Sequence, residues 1–138
     1  AGNAAEARLK GGHAGGRVLL AEDNEINCEI ARTLLEDAGL VVDTAEDGAQ
    51  AVELAGAGDY ALILMDMQMP RMGGLEATRE IRRMPRHART PIMALTANAF
   101  AEDKARCLAA GMNDFIAKPV DPPVLFATML RWLEPPSQ

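Results

Sequence analysis

Residues 60–70 read YALILMDMQMP, in which the apolar residues Ala61, Leu62, Ile63, Leu64 and Met65 end without transition on a carboxylate, Asp66. An unbroken apolar run of this length is the pattern of a strand covered on both faces in a parallel sheet. A charge is costly to bury, so the acid marks the point where the strand leaves the core. In open α/β sheets that carboxyl edge is where ligands bind. Asp is also a common turn residue, so Asp66 taken alone reads either way.

Four more apolar runs punctuate the chain. Val18, Leu19, Leu20 and Ala21 end on Glu22 and Asp23. Leu40, Val41 and Val42 form a second strand, followed by a turn over 43–47. Pro91 opens a fourth, at a strand position that tolerates it, and the run closes on Thr96. Phe115, Ile116 and Ala117 form the fifth, which ends on Lys118 and Pro119.

Helical patterns fill the intervals. Asn24 is a natural cap, and Ile26, Ile30, Leu34 and Ala38 recur every fourth residue as one buried face, stopped by Gly39. An Ala-rich helix over 48–55 carries Val52 and Leu54, with Gly56 and Gly58 closing it. After a flexible Arg71-Met72-Gly73-Gly74 loop, a helix over 75–83 turns Leu75, Thr78 and Ile81 inward and ends before Pro85. Ala101, Ala105, Leu108 and Met112 give the next helical face. Asp121, Pro122 and Pro123 open the last helix, with Leu125, Met129 and Trp132 inward. Five strands alternating with five helices predict an α/β domain: a five-stranded parallel sheet, doubly wound, joined by right-handed crossovers.

Length allows one such domain and its core, since the chain has 138 residues. The formal net charge of -6 argues against a general nucleic-acid binder, which needs clustered Lys and Arg. No apolar run approaches the roughly 20 residues of a membrane span, and no signal-peptide pattern is present. Cys28 and Cys107 form no CxxC pair and read as reduced thiols. His13 and His87 have no neighbouring ligand set and read as solvated surface residues. Residues 1–16, rich in Ala and Gly, read as a disordered linker or cloning remnant, 17–134 as the domain and 135–138 as a tail. The absence of an initiating Met reads as an excised fragment or as the result of processing. Arg79, Arg82, Arg83, Arg86 and Arg89 form a basic run, more often a solvated face than a docking site. Met65, Met67, Met69 and Met72 read as core and loop packing.

Parallel strands put their carboxyl ends on one edge, so Glu22, Asp23, Asp66, Thr96 and Lys118 converge. Three crowded acids repel one another unless protonation or a cation relieves them. Their hard oxygens suit Mg²⁺. An ionised Asp66 can then act as a nucleophile and accept a phosphoryl group as an acyl phosphate. Lys118 supplies positive charge to the phosphoryl oxygens, and Thr96 a hydroxyl donor.

AEDN at 21–24, LMDMQMPRMGG at 64–74, LTAN at 95–98 and FIAKP at 115–119 resemble, in sequence and order, the receiver domain of two-component response regulators. The wording is most similar to receivers attached to hybrid sensor histidine kinases. The resemblance covers about residues 17–133 and implies the flavodoxin-like strand order 2-1-3-4-5. It implies Asp66 as phosphoacceptor and Asp23 as a direct ligand of Mg²⁺ or Mn²⁺. Glu22 would act through water, and Gln68 through its backbone carbonyl. Thr96 and Lys118 would bind phosphoryl oxygens, with Lys118–Pro119 a cis bond and the small Ala97 leaving room for the group. Thr96 and Phe115 would form the switch pair, while Gln68 and Asn98 would tune phosphoryl lifetime. Many relatives have Tyr where Phe115 stands; Phe lacks the hydroxyl, and plain core packing is its other reading. Implied partners are a histidine kinase domain, in cis or in trans, and a histidine phosphotransfer protein docking near Ile26, Cys28 and Ile30. Nucleic acid and direct membrane contact are not implied. The implied location is cytoplasmic, with tethering at the inner membrane through a parent hybrid kinase as one arrangement.

Other classes fit less well. A phosphatase of the haloacid dehalogenase type would want a second carboxylate where Gln68 stands. A flavodoxin-like cofactor domain would want a phosphate-cradling loop where Glu22 and Asp23 stand. A receiver that docks without being phosphorylated would have no use for the intact acidic set and Lys118.

Overall fold

The structure is a computed structural model that describes residues 11–12, 15–67, 69, 71–97, 101–118 and 120–133, the side chains of 101–103 excepted. The strands are β1 (Arg17–Ala21), β2 (Val41–Ala45), β3 (Leu62–Asp66), β4 (Ile92–Thr96) and β5 (Asp114–Ala117). Between and after them run α1 (Glu25–Asp37), α2 (Gly48–Ala57), α3 (Gly74–Arg82), α4 (Ala101–Ala110) and α5 (Pro122–Leu133). A short 3₁₀ turn, Pro85–His87, separates α3 from β4. All neighbouring strands pair in parallel, in the order β2-β1-β3-β4-β5. His13, Gln68, Asn98, Pro119 and the tail 134–138 lie outside the described residues.

Alternate residues of the strands feed two cores. Val18, Leu20, Leu62, Leu64, Met93, Leu95 and Ile116 pack with Ala31 and Leu35 of α1 and with Leu125, Phe126 and Met129 of α5. Leu19, Ala21, Ile63, Met65, Ile92 and Ala94 pack on the other side, with Ala51, Ala55, Ala77, Ile81 and Cys107. Each large apolar side chain so buried contributes about 1.5–3 kcal/mol, against about 0–1 kcal/mol for a surface ion pair. The unbroken apolar runs therefore set the fold, and the charges decorate it.

Several elements depart from the sequence expectation. β2 runs through Asp43, Thr44 and Ala45, which had read as turn. It is an edge strand, where polar residues are tolerated, and Asp43 accepts from Arg17 (2.5 Å) and from the Tyr60 hydroxyl (2.7 Å). Helix α2 continues through Gly56 to Ala57. Helix α1 is capped by Asn24, whose side chain accepts from the Asn27 amide at 3.0 Å, but its buried residues are Ala31 and Leu35. Ile26 is 71% exposed and Ile30 51%. At 100° per residue they stand roughly 140–180° around the helix from Leu35, so the fourth-residue spacing holds at its C-terminal half, where Ala38 is buried and Leu34 packs against the core, and fails at Ile26 and Ile30. The α4 face also holds only in part: Met112 is buried, but Ala105 and Leu108 are exposed and Cys107 and Ala110 are buried in their place, the Ala101 side chain lying outside the described residues. On α3 the inward residues are Ala77, Thr78 and Ile81, with Leu75 only half-buried.

His87 is fully buried, contrary to its reading as a surface residue. Its Nε2 faces the Ala55 and Gly58 carbonyls at 2.9 and 3.0 Å, so that nitrogen carries the proton and donates. Nδ1 then accepts from the Thr90 hydroxyl at 2.9 Å. The 3₁₀ turn folds the ring beneath α2, a packing that its charged sequence neighbours did not signal. Arg82 is likewise structural: it donates to the Gly111 carbonyl (2.9 Å), the His87 carbonyl (2.8 Å) and Asn113 Oδ1 (2.7 Å). Met65 is core, and Met67, Met69 and Met72 pack against it as the sequence suggested.

Candidate functional site

Four of the five strands deliver a residue to one edge. Asp66 is the last residue of β3 and is buried. Glu22 follows β1 and is also buried; its amide donates to the Ala45 carbonyl at 3.0 Å, extending the ladder by one residue. Asp23, the next residue, is exposed. Thr96 closes β4 and is buried, with the exposed Ala97 beside it. Lys118 follows β5, and its amide donates to the Thr96 carbonyl at 2.9 Å.

Lys118 Nζ lies 3.0 Å from Asp66 Oδ1 and 3.0 Å from Glu22 Oε2, with Glu22 Oε1 at 3.3 Å. Glu22 Oε1 also accepts from the Asn24 amide at 3.2 Å. Burial pushes the Lys118 ammonium down, but its hydrogen bonds to Glu22 and Asp66 and their charges outweigh that, and its pKa is raised. The ammonium is therefore fixed between two carboxylates.

Glu22, Asp23 and Asp66 each offer an oxygen within 4.8 Å of the others. Among the described residues, three formal negative charges face the one ammonium of Lys118, a formal surplus of two. Hard oxygen donors at this spacing, with surplus negative charge and one exposed member, fit a small divalent cation such as Mg²⁺. Of the residues expected at the site, Glu22, Asp23, Asp66, Thr96 and Lys118 all reach this edge. Phe115 lies further back on β5, half-buried, with Lys104 Nζ 5.4 Å from its ring centroid. Gln68, Asn98 and the Lys118–Pro119 bond lie outside the described residues.

Two residues absent from the sequence expectation shape the surroundings. Arg71, in the loop after β3, has φ 66°, and its Nε donates to Asp47 Oδ2 at 2.5 Å. Asp47 caps α2, accepting from the Gln50 amide at 2.7 Å. The signal for Asp47 was present, since an Asp before a helical run is a cap, but the partnership with Arg71 spans 24 residues and has no local signature. Beside the acids lies a groove of about 830 Å³, bordered by Asp23, Ile26, Cys28, Ile30 and Arg71.

Comparison with known proteins agrees with this geometry. The family model of the response regulator receiver domain matches residues 18–130. Hybrid signal transduction histidine kinase B of Dictyostelium discoideum is 42% identical over 126 residues, covering 83% of this chain and 6% of that protein. The aerobic respiration control sensor protein ArcB of Escherichia coli is 44% identical over 116 residues, covering 83% of this chain and 15% of that protein. The chain thus spans a small part of these relatives. Among solved structures, the receiver domain of a Pseudomonas aeruginosa sensor histidine kinase superposes with a TM-score of 0.82 at 44% identity, covering 87% of this chain and 98% of that one. That structure holds a magnesium ion coordinated in its active-site cleft. The receiver domain of Saccharomyces cerevisiae Ssk1, crystallised with the histidine phosphotransfer protein Ypd1, gives 0.79 at 32% identity, covering 86% and 89%.

Proposed function

The chain belongs to the response regulator receiver domains, and from that premise we propose that it accepts a phosphoryl group from a phosphohistidine onto Asp66, in a Mg²⁺-dependent reaction, and relays or reports the signal. The observation that carries this is the placement of Lys118 Nζ 3.0 Å from Asp66 Oδ1 at an edge where Glu22 and Asp23 complete an acidic set. An oxygen of the Asp66 carboxylate attacks phosphorus, the P–N bond breaks, and its electron pair leaves with the imidazole. The product is an acyl phosphate. Lys118 pairs with one phosphoryl oxygen and Thr96 donates a hydroxyl hydrogen bond to another. Asp23 and Asp66, with the backbone carbonyl of Gln68 and with Glu22 acting through water, would hold Mg²⁺, which would supply charge neutralisation. The domain is a signalling phosphoacceptor, with loss of the group to a second histidine or to water, and Gln68 and Asn98 tuning its survival.

Residues 17–134 form the working domain in this reading. Thr96 and Phe115 act as the switch pair, with Phe115 filling space vacated when Thr96 turns toward the phosphoryl group. A histidine kinase domain, in cis or in trans, supplies the group, and a phosphotransfer helix bundle receives it. The exposed Ile26 and Ile30 beside the groove support docking of that bundle at α1. A parent hybrid kinase would place the domain in the cytoplasm. No helix among the described residues is long and apolar enough to cross a membrane.

The test is intact mass after incubation with acetyl phosphate, with and without Mg²⁺, for the wild type and Asp66→Asn. One added phosphoryl group that requires both Mg²⁺ and Asp66 is the expected result. No gain under any condition, including with a competent histidine kinase, leaves a docking module that keeps the site without using it.

A further inference from the structure

The loop that leaves Asp66 returns to it. Gly74, the first residue of α3, lies so close to the Asp66 backbone carbonyl that a Cβ there would overlap it, and the Gly74 amide donates to the Met67 carbonyl at 3.3 Å. Between these points the loop is held from the side by the start of α2. The Gly48 amide donates to the Met72 carbonyl at 3.0 Å, in a contact too close for any side chain at 48. The second tie is Arg71 Nε to Asp47 Oδ2 at 2.5 Å.

Arg71 is the one non-glycine residue with a positive φ among the described residues, at 66°. For an L-residue other than Asn or Asp that conformation is strained, because Cβ crowds the following carbonyl oxygen. The cost persists only where surrounding contacts fix the backbone. Asp47 is itself fixed, as it is buried and already accepts from the Gln50 amide. The Arg71 side chain, in contrast, is 64% exposed, so its pairing adds little to global stability. A strained backbone tied to a fixed carboxylate suits positioning better than stability.

We propose that Asp47 and Arg71 are positioning residues for the cation site: their ion pair holds the end of the β3–α3 loop, from Arg71 to Gly74, against α2, so that Asp66, whose backbone carbonyl Gly74 touches, is already in place when Mg²⁺ binds. The inference rests on the metal site of the preceding section. Without the pair, part of the binding free energy goes into ordering the loop, and affinity falls. The pair lies outside the acidic set, so its effect is smaller than that of a ligand.

The experiment is calorimetric titration of the full chain with Mg²⁺, for wild type, Asp47→Asn, Arg71→Gly and Arg71→Lys, with thermal melts of each without Mg²⁺. Asn retains an oxygen for the Gln50 amide and removes the charge; Gly relieves the positive φ and removes the pair. Both are expected to raise the Mg²⁺ Kd about three- to tenfold, below or just reaching the roughly 10- to 100-fold that direct outer-shell partners of a metal command. Arg71→Lys restores part of the affinity. In phosphorylation from acetyl phosphate, the half-saturating Mg²⁺ concentration rises while the plateau rate holds. An unchanged Kd in Asp47→Asn and Arg71→Gly, with a wild type that binds Mg²⁺ and is phosphorylated, overturns the inference alone. A wild type that binds no Mg²⁺ overturns the receiver reading and this inference with it. Should Asp47→Asn fold poorly, the exposed Arg71 position decides the question.

Discussion

Lys118 Nζ and Asp66 Oδ1 are 3.0 Å apart, and the same ammonium stands 3.0 Å from Glu22 Oε2. Lys118 is thus the cation that makes an acidic edge tolerable in the free protein. Removing it as Lys118→Ala leaves Glu22, Asp23 and Asp66 facing one another. Breaking a fully buried pair costs about 3–5 kcal/mol; Lys118 is only partly buried, so about 1–2 kcal/mol is expected. Because its pKa is raised, the contribution is fully present below the usual lysine value and is lost only as pH rises through the folded value. Thermal melts at pH 7 should show a lower Tm for Lys118→Ala, and added Mg²⁺ should close much of the gap. An equal deficit with and without Mg²⁺ would mean that charge is not the cause.

Tyr60 is the single tyrosine of the chain, so ultraviolet titration reads it alone. Burial, then its hydrogen bond to Asp43 and that carboxylate's charge, push its pKa up to about 12. A raised folded pKa means that the stabilisation is complete below the unfolded value near 10 and is lost as pH rises toward 12. The absorbance midpoint should lie near 12 in wild type and fall in Asp43→Asn, staying above 10 because burial remains. A wild-type midpoint near 10 would contradict the Tyr60–Asp43 bond.

His87→Ala empties a buried ring site and leaves the Ala55 and Gly58 carbonyls without their donor. Each buried group left unsatisfied costs about 1–3 kcal/mol, and a total loss of about 3 kcal/mol is expected. Urea unfolding measures it. Below the unfolding transition the variant should still accept a phosphoryl group, since His87 packs beneath α2 at the opposite edge of the sheet.

One substitution should act in opposite directions at two glycines of α2. At Gly48 an added methyl overlaps the Met72 backbone carbonyl, and Gly48→Ala is expected to cost about 1–3 kcal/mol. At Gly56 the nearest neighbour is Met84 Cε at 3.7 Å, an ordinary contact, so Gly56→Ala should gain up to about 1 kcal/mol in helix propensity. Chemical denaturation of both variants tests the pair, and effects of the same sign would refute the packing described for the β3–α3 loop.

The legible parts of this chain were those that depend on neighbours in sequence. An apolar run ending on Asp66, Thr96 or Lys118 announces both a strand and its exit, and parallel topology then gathers the ends. What stayed hidden depends on partners far along the chain. His87 is buried by carbonyls 32 and 29 residues away, and Arg71 is held by a carboxylate 24 residues away. The α1 face held at Leu34 and Ala38 and failed at Ile26 and Ile30 for another reason. Ile26 and Ile30 share a stripe as regular as that of Ala31 and Leu35, and spacing cannot say which of two stripes meets the sheet.

At the far end of α5, Trp132 Nε1 and Arg131 reach Asp114, the first residue of β5, at 2.8 and 3.2 Å. The last helix therefore finishes at the rim where the strands start, as does Arg17 at the head of β1. The first strand thus begins and the last helix ends at the back edge of the sheet, while the acids and Lys118 stand at the front. A longer polypeptide joined before Arg17 or after Leu133 would therefore attach on the side away from Asp66.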